Sequence, residues 1–333
     1  MRYKTPAALE MAVKEAAKKS PLDTNRAIAG FYFHRLLCRV FSDPDSPFVL
    51  KGGQSVLART VDARATRDID LLARETSVEA AVADLRRLAG IGLDDFISFS
   101  FDKAEPIKAD DEYRSGMKVW FTPSLGGKSL QAVSVDLVVD EVDGLEPETI
   151  TPADRLQIDD IPVFDYRIYR AESALADKLL AMVEVHDGRP SSRVKDLVDV
   201  VVYAKACRID SRTLAEQVAN ESRARKVNLP ERFQIPDAWP AVYGKPYAKM
   251  ARQAKIDDVA PDMVSAEELA AKLYEPALGT HREHGASIWS PSSLIWAAAE
   301  GNDTLEPNDN ISHRSRSTHS SKVMESRLRR VCQ

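Results

Sequence analysis

Cysteine is scarce in this sequence. Cys38, Cys207 and Cys332 are spread along 333 residues, with no CxxC pair among them. That excludes a disulfide scaffold and a structural zinc cage of the usual spacing, and it fits a reducing compartment. Long apolar runs are missing too: no segment approaches the roughly 20 residues a membrane helix needs. The opening stretch, MRYKTPAALEMAVKEAAKKS, is charged throughout and lacks the apolar core of a secretion signal. The expected location is the cytoplasm, with no membrane partner. A basic excess is also absent. The net charge is −5, so any nucleic-acid contact has to come from a local basic patch rather than from bulk charge.

Several catalytic signatures are absent as well. The six histidines form no HxH or HExxH pair. There is no GxSxG elbow around a serine and no GxxxxGK[ST] phosphate loop, which argues against a serine hydrolase and a P-loop ATPase. No internal repeat is visible. What is present is 44% hydrophobic and 29% charged residues, enough for a globular core and about two domains.

The chain opens with two expected helices, about Pro6 to Lys19 and, after the capping pair Asp23-Thr24, to about Phe41. Ala27, Phe31, Leu36 and Val40 give the second a packing face. The breakers SDPDSP end it. Phe48-Val49-Leu50 followed by Lys51-Gly52-Gly53 reads as strand, tight turn, helix. Asp68 to Leu72 reads as a strand, then a helix from about Val78 to Leu88. Strands follow at Phe96 to Phe101, Lys118 to Thr122 and Ala132 to Val139, with Gly126-Gly127 turning between the last two. Beyond Pro152 and Pro162, helical patterns dominate: about Ala171 to Val185, Arg193 to Ala206, Arg212 to Arg225 and Ser265 to Leu273. The proline-marked stretch around Pro236 to Pro246 reads as connection. This predicts an α/β domain over 1–150 and a mainly helical domain over 151–298. The remainder, 299–333, is rich in Ser, Asn, His and Arg, and is expected to be a disordered tail.

The feature that carries chemistry is Gly52-Gly53-Gln54-Ser55 followed by Asp68-Ile69-Asp70. Side chains alternate along a strand, so both carboxylates share one face. Paired carboxylates are natural ligands for Mg²⁺ or Mn²⁺, and two such metals suit phosphoryl or nucleotidyl transfer. A Gly-Gly turn at a helix start brings backbone N–H groups close to phosphates. A third carboxylate is expected on a neighbouring strand. Asp136, a single charge inside VSVDLVV, is the first candidate, with Asp140 competing. The bland alternative for Asp136 is an ion pair with some arginine. Arg64 and Arg67 flank the DxD and are suited to phosphate or RNA, and Thr66 is placed near the nucleotide. Trp239, Tyr243 and Tyr247 interleave with Lys245 and Lys249. Core packing outweighs RNA stacking as their reading.

The stretch FVLKGGQSVLART…RATRDIDLL resembles the AbiEii/AbiGii-type nucleotidyltransferases, including the MenT-like toxins of bacterial toxin–antitoxin pairs, within the DNA polymerase β-like superfamily. The segments ESALADKL and RVKDLVD, and the ending from Tyr274-Glu275-Pro276 to Trp296, are similar to that family too. The resemblance spans roughly residues 25 to 298. Gln54-Ser55 departs from the small or apolar residues commoner after the Gly pair.

The resemblance implies an α+β fold, with a polymerase-β-type mixed sheet flanked by helices and a mainly helical C-terminal domain. It implies a nucleoside triphosphate as substrate and Mg²⁺ or Mn²⁺ on Asp68, Asp70 and Asp136. The family's lysine and aspartate fall on Lys178 and Asp196. The first would neutralise the triphosphate, and the second would orient that lysine or act as base. The expected acceptor is RNA such as the tRNA 3′ end, met by Arg64, Arg193 and Lys195. The expected partner is a winged-helix antitoxin. Transfer to a protein hydroxyl, and a catalytically silent nucleotide-binding module, are the alternatives.

Overall fold

A computed structural model describes residues 3–74, 77–107, 115–139, 145–186, 188–278 and 286–299. Two N-terminal helices, α1 (Pro6–Lys19) and α2 (Thr24–Ser42), come first. Thr5 caps α1 and Asp23 caps α2, each accepting from backbone N–H groups of the first turn. Strand β1 (Phe48–Lys51) runs into helix α3 (Gly52–Arg59), and β2 (Asp68–Ala73) follows. Then come α4 (Val78–Ala89), β3 (Ile97–Pro106), β4 (Ser115–Leu125), β5 (Lys128–Ser129), β6 (Val133–Val139), β7 (Glu148–Ile150) and β8 (Tyr166–Ile168).

These eight strands form one mixed sheet in the order β3-β4-β6-β2-β1-β8-β7, with β5 beside β4. Pairs β2–β6 and β1–β8 are parallel; β1–β2 and β4–β6 are antiparallel. The Gly126-Gly127 turn therefore joins β4 to the two-residue β5, not directly to β6 as expected. β6 still lies against β4, on the side away from β3.

The second half contains α5 (Ala171–Val183), β9 (Val185–His186), β10 (Arg189–Pro190), α6 (Val194–Ala206), β11 (Ile209–Asp210) and α7 (Ser211–Arg225). It ends with α8 (Trp239–Gln253), α9 (Met263–Tyr274), β12 (Ser287–Ser290) and β13 (Ile295–Ala298). The expected connection around Pro236 to Pro246 is corrected: most of it is α8. Pro240 lies in the first turn, where no N–H is needed, and Pro246 sits on an exposed face. Buried Trp239 and Tyr247 outweigh the proline. Their polar atoms donate to the Ser191 and Ala260 carbonyls at 2.7 and 3.0 Å. Core packing is thus their role, as the sequence favours.

Strand β1 explains how two cores meet. Phe48 and Leu50 face a core built on α1, α2, α4 and one side of the sheet. Val49, pointing the other way, joins a core made by α5 to α9. Asp140, the competing third carboxylate, and residues 300–333 of the expected tail lie outside the described residues. Cys38 and Cys207 are buried and unpaired by disulfide. Among the described residues no helix is long and apolar enough to cross a membrane.

Candidate active site

Residues of β2 alternate between half-buried and buried, which puts Asp68 and Asp70 on one face, as expected. The parallel register with β6 sets Asp70 beside Asp136 and Asp68 beside Ser134. Three carboxylates on two neighbouring strands therefore share one side of the sheet. Asp68 accepts from the Ser134 hydroxyl and from Lys118 Nζ at 3.0 Å. Lys118 Nζ lies 3.0 Å from Asp136 as well. The partner of Asp136 is thus this lysine and not an arginine.

The Gly pair sits directly across from Asp70. Gly52 has φ +63°, and a Cβ there would fall 2.0 Å from Asp70 Oδ2. Glycine is needed both for the backbone and for the close approach of the carboxylate. Gly53 starts the first turn of α3 against Thr66, where a Cβ would come within 3.1 Å. Thr66 Oγ1 donates to the Asp68 carbonyl at 3.2 Å. Gln54 and Ser55 turn their side chains inward. Gln54 donates to Asp154 at 3.0 Å, and Ser55 donates to the Gly52 carbonyl at 2.8 Å. Only their backbone remains at the helix start, because the side chains of this buried short helix are used for packing.

A cleft of about 270 Å³ opens over this turn, bounded by Lys51, Gly52, Gly53 and Asp70 on one side and by Lys178 and Asp196 on the other. Lys178 comes from α5 and Asp196 from the first turn of α6, where the helix dipole favours a carboxylate. Lys178 Nζ donates to Asp196 at 2.7 Å and to Asp199 at 2.8 Å. Asp196 and Asp199 are spaced i, i+3, so one face of α6 presents both. Asp199 is fully buried and also accepts two bonds from Arg64, each 2.8 Å. The sequence reading missed Asp199, although its spacing from Asp196 was a usable signal. It also missed Lys118, whose partners depend on sheet register.

Arg64, expected to meet phosphate or RNA, lines the cleft while its guanidinium bonds Asp199, since a buried carboxylate has to be paired. Arg193 is exposed and lines the cleft, and Arg67 and Lys195 are exposed outside it. Arg225, also at the cleft, pairs with Asp177, Glu184 and Glu221. Lys51 lies 3.6 Å from Asp177 and 5.7 Å from the centre of the Tyr169 ring.

Electrostatics separate these groups. Desolvation, then Asp136 and Asp68, push the Asp70 carboxyl up to about 6 against the pull of Lys51 and Lys178. Desolvation also raises Asp68, but the Ser134 hydroxyl and Lys118 outweigh it and hold that carboxyl below its ordinary value. Burial disfavours the Lys178 charge; Asp196 and Asp199 outweigh it and keep the ammonium well above the usual lysine range. Lys178 is therefore a fixed cation and not a base at neutral pH.

The donor set fits a divalent cation: hard oxygens on adjacent strands, with negative charge in excess at Asp70. As placed, no three acidic, His or Cys side chains converge on one point among the described residues. The Lys118 ammonium bridges Asp68 and Asp136 instead.

Comparison with known proteins gives the following. The family model "Nucleotidyl transferase AbiEii toxin, Type IV TA system" matches residues 35–273. A search of curated proteins finds no match. Among solved structures, JHP933 from Helicobacter pylori is similar at 16% identity and TM-score 0.42, over 76% of this chain and 93% of that one. MenT4, a nucleotidyltransferase toxin from Mycobacterium tuberculosis, is similar at 15% identity and TM-score 0.47, over 77% and 88%.

Proposed function

Because the chain belongs to the AbiEii nucleotidyl transferase toxin family of type IV toxin–antitoxin systems, we propose that its cleft binds a nucleoside triphosphate and transfers the nucleotide to the 3′ end of an RNA such as tRNA. Two observations carry this reading together: Asp68, Asp70 and Asp136 share one side of the sheet, and Asp70, the Gly52-Gly53 turn and Lys178 line one cleft. In this reading the region to about residue 150 supplies the carboxylates, and the helical region over 151–298 supplies Lys178 and Asp196. The family implies an antitoxin partner, and a winged-helix protein is the form proposed here. The cytoplasm is the proposed place of action.

Asp68, Asp70 and Asp136 would hold Mg²⁺ or Mn²⁺, which neutralises triphosphate charge and activates the attacking hydroxyl when bound. The residues of the chain do the rest. Backbone N–H groups at Gly52 and Gly53 and the dipole of α3 receive phosphate oxygens. Lys178 offers a permanent positive charge to the leaving pyrophosphate, held in place by Asp196 and Asp199. Arg64 clamps Asp199 and so positions Lys178 from behind. Asp196, bonded to Lys178, orients that lysine. Arg193, Lys195 and Arg67 are exposed and would serve as a basic rim for the incoming strand.

The test uses purified full chain with Mg²⁺, each α-³²P-labelled nucleoside triphosphate, and tRNA that is intact or lacks its terminal 3′-hydroxyl. Label should appear on intact tRNA alone. Equal labelling of both tRNAs, or labelling of protein bands only, would replace this reading with transfer to another group or to a protein hydroxyl.

A further inference from the structure

Lys118 sits between Asp68 and Asp136 on the carboxylate-bearing side of the sheet, and it has no part in the chemistry proposed above. It lies on β4, directly opposite Asp136 in the antiparallel β4–β6 register. Its stem reaches across β6 to Asp68 on β2, so that Nζ stands 3.0 Å from Asp136 Oδ1 and 3.0 Å from Asp68 Oδ1. Two strand spacings, roughly 10 Å, separate β4 from β2, a span that a lysine covers by leaning over its neighbour. Those two oxygens are also donors that a cation shared by Asp68 and Asp136 would use.

A divalent cation binds carboxylate oxygens at about 2.1 Å. Placed on the same two oxygens, it would lie within about 5 Å of the ammonium, where like charges repel strongly. One of the two has to move, and the lysine has a route. Its side chain is 31% exposed, whereas that of Lys178 is 10% exposed and pinned between two aspartates. Asp68 need not move with it, because Ser134 holds the carboxylate independently.

We propose that Lys118 is an internal counter-ion competing with the divalent cation for Asp68 and Asp136, so that cation binding and displacement of this lysine are one event. The inference rests on the cation-binding reading above. It makes Lys118 a positioning residue: in the nucleotide-free protein it holds the two carboxylates together and lowers the affinity for metal.

The experiment is a Mn²⁺ titration of the nucleotide-free full chain, followed by electron paramagnetic resonance, for wild type, Lys118→Met, Lys118→Gln and Lys118→Arg. Melting curves establish that each variant is folded, and the Gln variant serves if the Met variant is not. Removing the charge should tighten Mn²⁺ binding about five- to tenfold, the effect expected of two partly exposed ion pairs. The Arg variant, which keeps the charge, should stay near wild type. Equal or weaker binding by the neutral variants would overturn the role of Lys118 while leaving the cation site standing. No Mn²⁺ binding by any folded variant would overturn the cation site and the inference with it.

Discussion

Two clusters of buried charge in this molecule are closed differently. In the first, Arg35 and Arg39 of α2 converge on Asp95, with distances of 2.6 to 3.2 Å, and all three are at most 1% exposed. Arg39 also donates to the Arg35 and Ile97 carbonyls, and Arg35 to that of Pro162. In the second, Arg64 and Lys178 converge on Asp199, but Lys178 and its other partner Asp196 also face a cleft. The sealed cluster ties α2 to the loop before β3. The open one keeps charge at a surface where a ligand can reach it. Burial and pairing alone do not distinguish a structural from a functional ion cluster; access to a cleft with further uncompensated charge does.

The comparison can be broken most sharply at Asp70. Asp70→Asn should lower nucleotide transfer by about a hundred- to a thousandfold, the scale on which one pre-organised electrostatic group acts. Its melting temperature should be equal to or above wild type, because burial and two like charges already disfavour that carboxylate. A transfer rate near wild type, or a collapse of stability, would remove the distinction.

Asp95→Ala should do the reverse. Leaving Arg35 and Arg39 buried without their carboxylate should cost about 3–5 kcal/mol in denaturant unfolding. The folded fraction should bind Mg²⁺–nucleotide as wild type does. Loss of binding in that folded fraction would show that the sealed cluster also shapes the cleft.

Asp95 in the sealed cluster and Asp70 beside the open one predict opposite pH trends. Arg39 and Arg35 overcome desolvation and hold Asp95 below its ordinary 3.8. Its folded-state value is depressed, so its contribution is present above about 3.8 and is lost as pH falls further. Asp70 has a raised value, about 6 against 3.8, so the fold binds more protons than the unfolded chain between those two points. There the Asp70 contribution falls as pH rises. Denaturant titrations should show the acid limb flattened by Asp95→Asn, and the decline between about pH 4 and 6 reduced by Asp70→Asn. The same curves for wild type and both variants would contradict the assigned shifts.

Much of this was readable in the sequence. The strand–turn–helix around Gly52-Gly53 and the strand under Asp68 and Asp70 follow from local alternation and turn chemistry. Lys178 and Asp196 came from family resemblance, and they meet at 2.7 Å. The rest depended on distance in the chain. β8 is three residues long and exists through parallel pairing with β1. α8 carries two prolines that local rules read as a break, and tertiary burial of Trp239 and Tyr247 overrides them. Arg35 and Arg39 look like the solvated side of α2 until Asp95 is seen beside them. Arg64 reads as a surface arginine until Asp199 claims it.

The smallest effect belongs to the exposed rim. Arg193→Ala with Lys195→Ala should leave the melting temperature unchanged. It should flatten the salt dependence of transfer to RNA by about 0.7–0.9 log units per lost phosphate contact. An unchanged slope would place the acceptor elsewhere.

The central claim is that the open cluster and the carboxylates beside it form one nucleotide-transfer site. Its most direct measurement is transfer of label from α-³²P nucleoside triphosphates by wild type, Asp70→Asn and Lys178→Met, each shown to be folded, over total RNA and total protein. Wild type should label an acceptor with Mg²⁺ present, and both variants should fall to background. Undiminished labelling by either variant, or no labelling by wild type with any of the four nucleotides, would contradict it.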